Sequence, residues 1–442
     1  MEDYRAIADQ VAADVAAGHL RPGDRLPPQR RFARERRIAS STAARVYGEL
    51  ARRGITVGEV GRGTFIRAAT RLLEPALTEP GAAHIDLELN FPVLPEQGAL
   101  LANGLARLVR PDALMAALHP VRAAGTSIAR DASAALLSRG GWAPDPQDLL
   151  FSGNGRQAIA AAIAALVPPG NRLGVEPVTY PVVKGIAARL GVSLVPLPMD
   201  EAGVVPEALD TGPPLRAIYV QPALHNPLGV TMPDERRHAL AESLQRHDIF
   251  AIEDTIYGFL RDDLPPLAML APERVVVIDS LSKRIAPGLT LGFLVSPRSI
   301  APDLAAAIRS GTWMASRFAL DAATNWITDG TAATICEAKR QDAAARQQIA
   351  AQRLAAFDIR ADPNAYHCWW ELPEPWRADT FVAAAARHGI AVTPARSFTV
   401  SPGRAPNAVR LALASPPLDV LAAALDVLAR LARGAPEDSE SE

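Results

Sequence analysis

Lys283, in the stretch DSLSKRIAPGLTLGF (residues 279–293), is one of three lysines among 46 Lys and Arg residues, the others being Lys184 and Lys339. Arginine supplies nearly all other positive charge and stays protonated in proteins, whereas a lysine amine can act as a nucleophile and form a Schiff base. Other polar groups close strand-like runs. QPALHNPLG puts Asn226 before Pro227, IEDTIYGF puts Asp254 and Tyr257 three apart, and SLSK brings Ser280 and Ser282 up to Lys283. FSGNGRQAI reads as strand, glycine-containing turn and helix start, whose N–H groups from Gly153 to Gln157 can cradle a phosphate. Taken singly, each has a plain reading as a turn, a helix cap or a surface charge. Together they set an amine, a carboxylate and an anion cradle at the C-terminal ends of strands, where open α/β sheets bind ligands.

The elements that must hold these groups follow from periodicity. From Ile85 onward, apolar runs of strand length (DLLFSG, NRLGVE, LRAIYVQP, IFAIED, RVVVIDSLSK) alternate with helical segments such as GRQAIAAAIAALV and YPVVKGIAARLG. That alternation predicts an α/β fold with a mostly parallel sheet covered on both faces. Helix is expected again from about residue 333. CWWELP and AVRLALAS are then expected as strands of a smaller C-terminal α+β portion, and residues 433–442, which end in GAPEDSESE, as an acidic, disordered tail.

The first 67 residues differ. They hold thirteen arginines and no lysine against eight acidic residues, a net +5, so the rest of the chain carries −7 to reach the overall −2. A basic module of this kind most often meets nucleic acid. Ile7, Val11 and Val15 recur every four residues, as on an amphipathic helix. Two short helices are expected at Gln29–Arg36 and Ser40–Arg53, the second capped by Ser40 or Ser41. GITVGEVGRGTFIRA then reads as two strands joined by a glycine-rich turn. Helix, helix–turn–helix and hairpin is the order of a winged helix-turn-helix. Residues 68–84, with Pro, Gly and small residues, read as a linker.

Composition bounds the alternatives. Cys336 and Cys368 have no paired spacing, so neither a disulfide framework nor a metal site is expected. The polar N-terminus lacks a signal-peptide core, and the alanine-rich apolar runs are shorter than a membrane span, which predicts a soluble, cytoplasmic protein.

LRPGDRLPPQRRFA, STAARVYGEL and GRGTFI resemble the GntR-type winged helix. The resemblance implies that the Ser40–Arg53 helix enters the DNA major groove, with Arg30, Thr42 and Arg45 at contact positions and Arg62 and Gly63 on the wing. Ser40 stands where that family often has arginine. Residues 85–432 resemble fold type I pyridoxal-phosphate enzymes of the class I/II aminotransferase group. On that resemblance, Lys283 carries the cofactor as a Schiff base and Asp254 pairs with the pyridine nitrogen. Asn226 and Tyr257 reach the ring hydroxyl oxygen, and Tyr180 in EPVTYP stacks on the ring. Asn154, Gly155 and Arg156, with Ser280 and Ser282, surround the phosphate, and Arg410 in NAVRLALAS grips an α-carboxylate. Two departures bear on cofactor affinity rather than on cofactor chemistry. Thr290 occupies the usual place of a phosphate-binding arginine, for which the neighbouring Arg284 is expected to point the wrong way. LHPVRAAG also lacks the tyrosine usual before the glycine aligned with Gly125.

A winged helix joined to an aminotransferase-like body is the arrangement of MocR-type regulators, including the GabR and PdxR groups. The resemblance implies a homodimeric transcriptional regulator that binds double-stranded DNA near its own or a neighbouring gene and senses pyridoxal 5'-phosphate, an amino acid or amine effector, or both. A working aminotransferase with a regulatory DNA-binding head remains the alternative, because the residues named would suffice for transamination. A cofactor-storage or purely interaction role stands third.

Overall fold

A computed structural model of the chain describes residues 4–16, 19–20, 24–52, 55–59, 63–66, 84–106, 108–400 and 405–435. Two compact units divide it, residues 1–77 and 78–442. The expected linker (but for its last residue, His84), Arg62 of the wing and the tail beyond residue 435 lie outside the described residues.

In the first unit, helices Tyr4–Ala16, Gln29–Glu35 and Ser40–Arg52 precede an antiparallel hairpin of Thr56–Glu59 and Gly63–Ile66. Ala43, Val46, Tyr47 and Leu50 recur at helical spacing and turn one stripe of the third helix inward, against Ile7, Val11 and Phe32. Phe32 meets Tyr47 edge to face, with ring centroids 5.3 Å apart. Leu26 N donates to Thr64 O at 2.8 Å, so the chain before the second helix braces the hairpin. The expected winged helix-turn-helix order is present.

The second unit is built on a seven-stranded sheet. Its spatial order is Leu149–Ser152, Gly292–Val295, Val275–Ser280, Phe250–Asp254, Ala217–Val220, Arg172–Val175 and Ser193–Pro196. Gly292–Val295 runs antiparallel to both neighbours, and the other pairings are parallel. Alternation along Val275–Ser280 sends Val275 and Val277 into one apolar layer and Val276 and Ile278 into the other, so helices cover both faces.

Two features depart from the sequence expectation. Helix begins well before residue 333, with Ala301–Ser310 and Arg317–Thr328 preceding the long Thr331–Arg353. The smaller sheet also takes a strand from the start of the unit: its order is Ile359–Arg360, His367–Glu371, Ala408–Ala412, Ile390–Pro394 and Ile85–Leu87. A three-residue strand carries too little periodicity to be read alone; pairing with Ile390–Pro394 makes it one.

Candidate ligand site and family

Parallel strands end together, and the residues that follow them converge. Asp254 closes Phe250–Asp254 and is buried. Its Oδ2 accepts from the Tyr219 hydroxyl at 2.6 Å and from Gln221 Nε2 at 3.1 Å, and its Oδ1 from Ile256 N at 3.0 Å. Burial pushes its carboxyl up to about 6, against the pull of those donors, so at neutral pH it is mostly ionised. Tyr219 and Gln221 were not singled out in the sequence. They sit in LRAIYVQP, where an apolar run hides a functional hydroxyl.

Lys283 lies in the short helix Leu281–Arg284, directly after the strand Val275–Ser280. Ser280 Oγ accepts from Ser282 N at 3.2 Å and caps that turn. The Lys283 amine donates to the carbonyl of Asn90 and sits 5.2 Å from the centre of the Phe91 ring. Burial first, then the positive charges of Arg156, Arg410 and Lys339, push the amine down to about 7. Lys339, fully buried on the helix Thr331–Arg353, donates to the carbonyl of Lys283 at 2.9 Å and also to that of Ile285.

Asn226 and Tyr257 border the same space. Asn226 Oδ1 accepts from Arg410 Nη1 at 3.3 Å, and the Tyr257 hydroxyl accepts from Asn90 Nδ2 at 3.2 Å. Burial raises the Tyr257 phenol to about 12, so it stays protonated. Arg410, on the strand Ala408–Ala412, is buried; its Nη2 donates to Thr393 Oγ1 at 3.2 Å and to the carbonyl of Glu88, while its Nε has no partner. The ring of Phe398 lies under the guanidinium, 5.2 Å from its carbon.

The anion cradle is narrower than the sequence suggested. Gly153 N is used by Trp313 O at 2.9 Å and Gln157 N by Asn154 Oδ1 at 2.9 Å. The amides of Asn154, Gly155 and Arg156, at the N-terminus of Gly155–Leu166, meet no protein acceptor among the described residues. A Cβ at Gly155 would stand 3.1 Å from Ser280 Oγ, so the glycine lets this turn pack closely against that buried hydroxyl. Burial raises the phenol of Tyr180, the residue preceding the helix Pro181–Arg189, and the charge of Arg156 opposes that rise.

The departure at Thr290 has a structural outcome. Thr290 Oγ1 bonds Ser282 Oγ at 2.6 Å. Arg284 turns away into a buried pair with Asp279, 2.7 Å from Nη2 to Oδ2, as expected. In the first unit Arg30 and Arg45 are exposed on the second and third helices, Thr42 is half-buried, and Gly63 opens the second wing strand at φ +123°. No helix among the described residues is long and apolar enough to cross a membrane, and none of their His, Cys, Asp and Glu residues form a metal-holding group.

The donor set fits pyridoxal phosphate: a low-pKa amine, a buried ionised carboxylate for a ring nitrogen, open amides with a serine hydroxyl for a phosphate, and a buried guanidinium with a free Nε for a carboxylate.

Comparisons agree with both halves. Residues 3–66 match the family profile "Bacterial regulatory proteins, gntR family", and residues 122–428 match "Aminotransferase class I and II". The chain is 30% identical to the HTH-type transcriptional regulator YdeF of Bacillus subtilis over 435 residues, 97% of this chain and 94% of that protein. It is 27% identical to the vitamin B6 salvage pathway transcriptional repressor PtsJ of Salmonella typhimurium, covering 89% of this chain and 91% of that one. Its fold is similar to Pyrococcus horikoshii kynurenine aminotransferase, with a TM-score of 0.73 and 22% identity over 83% of this chain and 95% of that one. An archaeal alanine:glyoxylate aminotransferase gives a TM-score of 0.72 at 23% identity over 80% and 91% of the two chains. A basic winged helix followed by a pyridoxal-phosphate fold, matched along almost its whole length by a transcriptional regulator, places this chain in the MocR-type family of transcriptional regulators, gntR-type heads on class I and II aminotransferase bodies.

Proposed function

We propose that the aminotransferase-like unit holds pyridoxal 5'-phosphate and senses an amino-acid or amine effector, changing how a homodimer of this chain engages operator DNA. The observation that carries the reading is the pairing of Lys283, an amine brought down to about 7, with Arg410, a buried guanidinium whose Nε lacks a partner. One takes an aldehyde and the other an α-carboxylate.

Pyridoxal phosphate, when bound, supplies an aldehyde that exchanges amines and a ring that draws off electron density. The chain's own groups do the rest. Asp254, kept mostly ionised by Tyr219 and Gln221, holds a proton at the ring nitrogen. The amides of Asn154, Gly155 and Arg156 and the Ser280 hydroxyl receive the phosphate. Asn226 and Tyr257 take the ring oxygen, Tyr180 covers the ring face, and Ser282 steadies the Lys283 turn from its bond to Thr290.

Homodimerisation is supported by an apolar surface around the helices Pro111–Ala117 and Ser127–Leu137, with Val109 66%, Leu118 73% and Ile128 65% exposed. Two heads in such a dimer would present Arg30, Thr42, Arg45, Arg62 and Gly63 to two half-sites.

The test is a visible spectrum of the purified chain with added pyridoxal phosphate, followed by retardation of DNA from beside its gene with and without candidate amino acids. An absorbance band missing in Lys283→Ala, and retardation that changes with ligand, support the reading. Conversion of amino acids to oxo acids at ordinary enzymatic rates would instead favour the aminotransferase with a regulatory head.

A further inference from the structure

Three consecutive carbonyls near the start of the second unit are held by side chains, the first by Arg410 and the third by Lys283 of the candidate ligand site. The strand Ile85–Leu87 is tied to the smaller sheet through Ile390–Pro394. Asp86 Oδ1 then accepts from Glu88 N at 2.7 Å and Leu89 N at 3.0 Å, turning the chain out of the strand. Beyond that turn, Arg410 Nη2 donates to Glu88 O, Ser415 Oγ to Leu89 O, and the Lys283 amine to Asn90 O. The Asn90 amide nitrogen bonds the Tyr257 hydroxyl at 3.2 Å, while its Oδ1 is buried without a partner.

These contacts use the groups that a ligand needs. A guanidinium takes a carboxylate side-on through Nε and Nη2 together. In Arg410 the Nε is free, but Nη2 is already given to Glu88 O, so half of that fork is open and half is blocked. The Lys283 amine must likewise leave Asn90 O before it can meet an aldehyde. A carbonyl is a neutral acceptor with one bond to give, whereas a carboxylate brings full opposite charge and two parallel bonds, so a ligand carboxylate displaces it.

We propose that Glu88–Asn90 is a built-in stand-in for the ligand, its Glu88 carbonyl at the carboxylate position and its Asn90 carbonyl at the amine, and that an amino-acid ligand releases it. This rests on the cofactor and effector reading above. The segment lies on the N-terminal side of the second unit, so its release acts on the part of the chain nearest in sequence to the winged helix. Ligands that compete with the segment distinguish its held and released states, which is the differential affinity that coupling requires.

The experiment is amide hydrogen exchange on the full chain, using phosphopyridoxyl-L-alanine and its decarboxylated analogue phosphopyridoxyl-ethylamine as probes. Both should protect residues 154–156 if the cofactor reading holds. The alanine adduct is expected to raise deuterium uptake across 86–91, and the ethylamine adduct, with no carboxylate for Arg410, to raise it less. Protection at 154–156 with unchanged or lower uptake across 86–91 overturns the inference alone. Protection by neither probe overturns the cofactor reading and the inference with it. Ser415→Ala, which frees Leu89 O, is expected to bind the alanine adduct about three- to tenfold more tightly, and Ser415→Thr to return toward the parent affinity. Unchanged or weaker binding by Ser415→Ala overturns the stand-in.

Discussion

Lys339 holds the carbonyl of Lys283 at 2.9 Å, so two of the chain's three lysines are directly bonded, Lys339 buried and Lys283 half-buried. The second amine also bonds Ile285 O and is itself brought down to about 7, burial being the main cause. Its helix reaches the other side of the ligand site: Arg346 donates to Leu413 O and Pro416 O, and Gln347 to Ala365 O and His367 O.

Lys339→Met keeps the stem and leaves two buried carbonyls without their donor. A loss of roughly 2–4 kcal/mol in urea-unfolding free energy is expected from unsatisfied buried acceptors. Removing the nearby positive charge should also move the midpoint of Lys283 reactivity upward, which titration with an aldehyde across pH reads directly. A stable variant with an unmoved midpoint would show that Lys339 is packing alone.

Condensation with an aldehyde needs the unprotonated amine. Because the Lys283 amine lies near 7 rather than at its ordinary 10.5, capture of pyridoxal phosphate should rise through about pH 7 and level off near pH 8. The lowered value also means that the unfolded chain binds the extra proton between about pH 7 and 10.5. This amine therefore adds stability as pH rises through that window, and the contribution is absent below it. Stopped-flow absorbance at a series of pH values tests the first statement. A midpoint close to 10 would contradict it.

Arg410→Lys exchanges a planar fork for a point charge and gives up the paired Nε and Nη2 geometry. Amino-acid binding is expected to weaken by about ten- to a hundredfold, as for loss of a charge-assisted pair, with little change in cofactor capture. Calorimetric titration of the cofactor-loaded chain separates the two effects. Equal losses of cofactor and amino acid would place Arg410 in general packing.

Arg45 is exposed on the third helix of the head, so Arg45→Ala should reduce DNA retardation several-fold at unchanged melting temperature. Gly63→Ala differs in kind. At φ +123° a side chain is strained, and its Cβ would stand 2.7 Å from Arg25 Nε, so the wing itself should be destabilised by about 1–3 kcal/mol. Loss of binding with a lower melting temperature in Gly63→Ala, and without one in Arg45→Ala, is the expected contrast.

Much of the site was legible because strand ends concentrate it. Asn226, Asp254, Tyr257, Ser280 and Lys283 each follow or close an apolar run, and their order along the chain carries the family pattern. Tyr219 escaped because its hydroxyl lies inside such a run, where an aromatic residue reads as core. Glu88 and Asn90 escaped because they act largely through backbone carbonyls, which every residue has.

The sequence by itself determined the two units, the alternation that builds the large sheet, and the residue types with the chemistry to meet an aldehyde and a carboxylate, since periodicity and side-chain chemistry are local properties. Only the tertiary structure decided what those residues hold now. The bond from Lys283 to Asn90 spans 193 positions and that from Arg410 to Glu88 spans 322. No local pattern encodes such a meeting; it arises because the strand Ile85–Leu87 adds to the edge of the smaller sheet and carries the next three carbonyls into the site.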